Sequence, residues 1–136
     1  QEQVKNLTFV HNTIVNSGRA VSVSNWANRP GMVFANNVAY SKNSYGLMFS
    51  GGSAGVTVTG NVVYGTVSGA SSSGYILGTG LNNFVNVAWD ATSLDATPSS
   101  GSPIISSGDP TFAVSTDITG ATRITGLEAG CFDYTN

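Results

Sequence analysis

The sequence predicts an all-β solenoid of short parallel strands, stacked at about 24–25 residues per coil. Three observations predict it. Four segments, residues 9–16, 34–41, 58–65 and 83–90, align on Asn12, Asn37, Asn61 and Asn86, separated by 25, 24 and 25 residues. A second apolar strand recurs between them, at residues 20–23, 46–49 and 74–77. Finally, no segment keeps a helical period, and β-branched and aromatic residues dominate the apolar runs. A fixed period of this length with short strands is the mark of stacked repeats, whose neighbours lie about 4.8 Å apart as parallel strands.

Each coil then reads as strand, Asn corner, strand, Gly/Ser loop, strand and loop. An asparagine at a corner tolerates left-handed backbone angles and bonds its own neighbourhood. Stacked one per coil, the amides also bond each other along the axis. Asn12, Asn37, Asn61 and Asn86 are therefore a structural ladder, with Asn83 as the alternative fourth member. Ile14, Ala39, Val63 and Ala88 form one expected apolar column, and Val23, Phe49 and Leu77 another. Residues 67–74 are small, polar and glycine-rich, which reads as an insertion that lengthens the third coil.

The repeat breaks after Trp89, so residues 1–89 are the coils and residues 90–136 a capping segment of the same domain. A terminal coil exposes apolar surface and unpaired strand edges, and solenoids cover them with an atypical end unit. The net charge of −2 divides unevenly, about +3 over residues 1–89 and −5 over residues 90–136. Asp117 and Arg123 are expected to hold a turn. Gln1 begins near a strand with no comparable cap, so an upstream β-helix segment or another protein chain is the expected neighbour at that edge.

The tail carries a Ser102-Pro103-Ile104-Ile105 stretch, a Gly108-Asp109-Pro110, an Asp117…Gly120…Arg123 turn and a closing Gly130-Cys131-Phe132-Asp133-Tyr134. Together with the repeats, this resembles the C-terminal end of secreted bacterial proteins of the pectate-lyase-like superfamily. The resemblance implies a right-handed single-stranded parallel β-helix, a secreted or cell-surface location, and carbohydrate-active enzymes as relatives.

The residues themselves give little chemistry. Between residues 3 and 89 there is no Asp or Glu. The pair of carboxylates that glycoside hydrolysis needs is therefore missing from the coils, as is any calcium cluster. No catalytic residue, metal site or cofactor is expected. Five basic residues are too few for a nucleic-acid footprint, and no run reaches the ~18 apolar residues of a membrane span. Cys131 is the lone cysteine, expected as a small buried side chain of the last strand, and His11 as a corner residue.

What remains is contact. Lys5 and Arg29 lie 24 apart, and Arg19 and Lys42 lie 23 apart, so each pair is placed in one column able to grip an acidic polysaccharide. Tyr40, Tyr64 and Trp89 each follow an aligned Asn by three residues and form a further column. Facing out, it is a platform for a sugar or a strip for a partner; facing in, it is core. Trp26 and Tyr45 lie in loops as separate binding candidates. The expected role is a structural or binding module used in surface attachment, assembly or glycan contact. The alternatives are the last part of a polysaccharide lyase or hydrolase, and a fibre or tailspike-like subunit.

Overall fold

The computed structural model describes residues 3–90, 92, 94–124 and 127–134. Among them it is all-β, with parallel sheets and only three single-turn 3₁₀ segments. The first repeat holds β1 (Thr8–Val10), β2 (Thr13–Asn16) and β3 (Val21–Ser24). The second holds β4 (Val33–Ala35) and the long β5 (Val38–Ser50), and the third β6 (Thr57–Thr59) and β7 (Asn61–Ser68). β8 (Tyr75–Leu77), β9 (Phe84–Asn86) and β10 (Asp95–Pro98) follow.

Repeats stack in parallel at the periods in the sequence. Thr8 pairs with Val33 and Val33 with Thr57; Thr13 pairs with Val38 and Val38 with Val62. These registers are the 25- and 24-residue spacings of the asparagines. β3 rests on the far end of β5, where Val23 meets Phe49. Strand, corner and strand are thus repeated three times with the same side chains in line.

The ladder is built from three asparagines. Asn37 Oδ1 accepts the Asn12 N–H at 2.9 Å, and Asn61 Oδ1 accepts the Asn37 N–H at 2.9 Å. Asn37 Nδ2 donates to the Phe9 carbonyl and Asn61 Nδ2 to that of Phe34, each in the preceding repeat. These bonds satisfy the backbone groups that the corner removes from the strand ladders.

Asn86 is not the fourth rung. The strand that follows β7 in the stack is β8, and Asn61 pairs with Tyr75, 14 residues on. Residues 67–74, expected as an insertion within the repeat, shift the chain so that Leu77 instead of Ala88 continues the Ile14, Ala39 and Val63 column. Leu77 is accordingly absent from the Val23 and Phe49 column. Asn86 lies exposed in an antiparallel pair of β9 with β10, opposite Asp95. Asn83 is the buried residue there, but its partners are the Tyr40 hydroxyl and the Thr79 amide, not the ladder.

Left-handed backbone angles also fall one residue earlier than expected. His11, Asn36 and Gly60, immediately before the three ladder asparagines, have φ of 55°, 55° and 67°. The ladder position supplies hydrogen bonds and the preceding one supplies the turn.

Two apolar layers flank the sheet of β2, β5 and β7. One contains Val21, Val23, Phe34, Ala39, Leu47, Phe49 and Val63 and lies between the strands of each repeat. The other contains Val38, Tyr40, Val62, Phe84, Ile104 and Ala129. The last three belong to the chain after the repeats, which covers the outer face of the sheet. The described part of residues 90–136 packs along the side of the stack. Its backbone reaches from the third repeat, at Thr59 and Asp109, to the first, at Thr13 and Cys131.

Candidate binding surface

The ionisable groups of the tail are engaged in holding it. The Asn36 side chain pairs with Asp109, donating from Nδ2 to its carbonyl and accepting its N–H at Oδ1. That requirement fixes the amide orientation, so Nδ2 also faces His11 Nε2 at 3.2 Å. His11 Nδ1 lies 3.2 Å from the Gly130 carbonyl, and Nε2 also lies 3.1 Å from the Phe112 carbonyl. Burial, then the Arg123 guanidinium, holds the imidazole below its ordinary pKa. Arg123 Nη2 shares the Gly130 carbonyl at 2.9 Å.

Asp109 and Asp117 each hold a turn. Asp109 Oδ1 accepts from Thr111 N–H and Oδ2 from the Thr59 hydroxyl, which lowers its pKa. Asp117 Oδ1 accepts from the Thr119 hydroxyl and the Thr119 and Ala121 amides, which lowers its pKa as well. The turn expected of Asp117 and Arg123 is present, closed by Arg123 N–H to Ser115 and by a Thr116–Thr122 bridge. The guanidinium itself turns to the Thr116 and Gly130 carbonyls. Cys131 is half-buried. Among the described residues no three His, Cys, Asp or Glu side chains are placed to hold a metal.

The residues expected to touch a ligand do not form one site. Lys5 and Arg29 do come together, across an open cavity of about 290 Å³ that Val4, Asn28 and Pro30 also line. Arg19 and Lys42 do not share a rung. Asn16 pairs with Ser41 and Val21 with Leu47, and the Ala20 N–H reaches the Tyr45 carbonyl. Arg19 instead lies over the Tyr45 ring, 5.8 Å from its centroid, a cation–π contact. Lys42 is exposed.

The aromatic column exists but is no platform. Tyr40 is fully buried, its ring 5.7 Å from Tyr64 and 5.0 Å from Phe84. Burial raises the pKa of its phenol. Its hydroxyl bonds Asn83 Oδ1. Tyr64 and Trp89 are half-buried and stacked at 6.0 Å. The sequence leaves the direction of this column open because Val38, Ala39 and Tyr40 are apolar in succession, without alternation. The structure gives the reason: both faces of the sheet are covered.

What is open is the first repeat. β1, β2 and β3 each pair on one side only, and no described strand meets their other edges. The three edges surround an apolar hollow of about 240 Å³, lined by Phe9, Ile14, Ala20, Val21, Val23 and Trp26. Trp26 thus belongs to this hollow, edge-on to Phe49, and not to a separate loop site. Gln1 and Glu2, where a neighbour was expected to begin, lie outside the described residues.

No family model, curated protein or solved structure matches the chain. The resemblance drawn from the tail motifs therefore stands on those residues alone.

Proposed function

We propose that the chain is part of an extracellular right-handed parallel β-helix that works by assembly and contact, without a catalytic centre of its own. The observation that carries this reading is the open end of the first repeat. Three unpaired strand edges around an apolar hollow are a surface built for association, since such edges otherwise invite aggregation. The parallel registers of 24 and 25 residues and the asparagine ladder support the β-helix. Composition supports an extracellular setting: 9% charged residues, with Gly, Ser, Thr and Asn in the polar positions. The chemistry supports a module without turnover. His11, Asp109 and Asp117 are all bonded within the tail or between tail and repeats.

The test is an assay for reducing ends and for unsaturated uronates with a panel of acidic and neutral polysaccharides. No product is expected. Turnover that Lys42→Ala abolishes would replace this reading with a lyase acting at the basic residues.

A further inference from the structure

The asparagine at the open end is in a different bonding state from the two behind it. In the second and third repeats each ladder Oδ1 accepts the backbone N–H of the preceding asparagine, and each Nδ2 reaches back to a carbonyl of the preceding repeat. Asn12 has neither bond. Its Nδ2 folds onto the Val10 carbonyl of its own repeat and onto Asn37 Oδ1, and its Oδ1 accepts nothing among the described residues. The side chains around it follow the same trend. Leu7 is 41% exposed where Met32, one repeat on, is 1% exposed. Phe9 and Ile14 are half-buried where Phe34 and Ala39 are buried. At Leu7, Phe9, Asn12 and Ile14 the first repeat is a half-made version of the repeat behind it.

We infer that this edge is a docking site for one further parallel β-coil, whose backbone N–H caps Asn12 Oδ1, whose carbonyl receives Asn12 Nδ2, and whose inward apolar side chains fill the hollow beneath Phe9, Ile14 and Trp26. The inference rests on the β-helix reading above and names its partner. Continuity decides the occupant: the surface repeats, rung for rung, the interface already made between the first and second repeats. An antiparallel strand fits only one edge at a time, and three parallel edges at fixed spacing call for a whole coil. A second copy of this chain is a poor match. Its far end offers β8, three residues long, beside the 3₁₀ turn Ser72–Gly74.

The chain contains the probe. Residues 32–55 are one full repeat, so a second copy inserted between Asn6 and Leu7 supplies a coil in register. Amide hydrogen exchange of the parent and the insertion variant is compared residue by residue. The outward-facing amides of Thr8–Val10, Thr13–Asn16 and Val21–Ser24 are expected to slow by ~10-fold or more, while those of Val38–Ser50 stay as they were. The same 24-residue segment, added as a free peptide, is expected to protect the same amides, and Asn12→Ala to reduce that protection. If neither the inserted nor the added coil slows exchange while Val38–Ser50 remains protected, the docking inference is wrong and the β-helix reading stands. If Val38–Ser50 is unprotected in the parent, the β-helix reading itself fails.

Discussion

The side chain of Asn36 binds the backbone of Asp109 as a neighbouring strand would, with Nδ2 on the carbonyl at 3.0 Å and Oδ1 on the N–H at 2.6 Å. A buried corner residue of the second repeat thereby anchors the tail 73 residues away. Gly130 N–H completes the attachment on the Asn36 carbonyl at 2.7 Å. Asn36→Ala leaves the Asp109 N–H without its partner and the Asp109 carbonyl with the Phe112 N–H alone, and a buried orphan costs about 1–3 kcal/mol. A loss of roughly 1–3 kcal/mol in urea unfolding is expected, with earlier proteolytic cleavage in residues 104–124. An unchanged midpoint would show that the tail is held elsewhere.

Gly60 occupies the same corner one repeat on, at φ 67°, where an added Cβ would meet Asn36 Oδ1 and the Asp109 nitrogen inside van der Waals contact. Gly60→Ala combines backbone strain of about 1–3 kcal/mol with that collision. It is expected to destabilise at least as much as Asn36→Ala. Gly52→Ala is the control, because it shares the positive φ but has open space around it.

The three ladder asparagines are unequal. Asn37→Ala removes an acceptor for the Asn12 N–H and a donor to Phe9, both joining the first repeat to the second, and is expected to cost about 2–4 kcal/mol. Asn12→Ala, at the open end, is expected to cost about 1 kcal/mol. Asn86→Ala, exposed and outside the ladder, is expected to stay within about 0.5 kcal/mol. Equal effects at Asn37 and Asn86 would contradict the ladder drawn here.

His11 makes the attachment pH-dependent. Its folded pKa lies below the ordinary value of 6.5, so near and below pH 6.5 the unfolded chain binds the proton that the folded chain refuses. Stability is therefore complete above pH 6.5 and falls as the pH drops toward the folded pKa, with a limiting slope of about 1.4 kcal/mol per pH unit. Urea unfolding of the parent and of His11→Gln between pH 7.5 and 5 isolates this contribution. The parent is expected to lose stability faster than the variant. Parallel curves would mean that His11 titrates alike in both states.

Ile104 of the tail is 1% exposed, in one cluster with Val38, Tyr40 and Val62. Ile104→Ala is expected to cost about 2–5 kcal/mol. It is also expected to raise binding of a hydrophobic dye as the outer face of the sheet is uncovered. A smaller loss, below about 1 kcal/mol, would show that the tail lies loosely on that face.

The sequence holds the stacking register plainly because identical side chains must bond across repeats: Asn12, Asn37 and Asn61 recur at the structural period. The fourth rung misleads. Residues 83–90 imitate the motif, while residues 67–74 have already moved the next strand to Tyr75–Leu77. Strict alternation, the usual guide to strand direction, disappears at Val38-Ala39-Tyr40 because the tail buries the outer face. A doubly apolar strand was itself the signal that something covers it. The clasp of His11, Asn36 and Gly60 was legible only as the residue type before each ladder asparagine, since their tail partners lie 49 or more residues away.

The register is the claim on which the rest depends, and a cross-link tests it most directly. Ser24 and Ser50 are exposed and directly opposite in β3 and β5. Parallel partners lie about 4.8 Å apart at Cα, within the range a disulfide spans. In a Cys131→Ser background, Ser24→Cys with Ser50→Cys is expected to oxidise readily and keep the native spectrum. Ser24→Cys with Ser68→Cys, whose partner in β5 is Met48, is the mismatched control and is expected to stay reduced. Oxidation of the control pair in preference to Ser24 and Ser50 would contradict the stacking of the repeats.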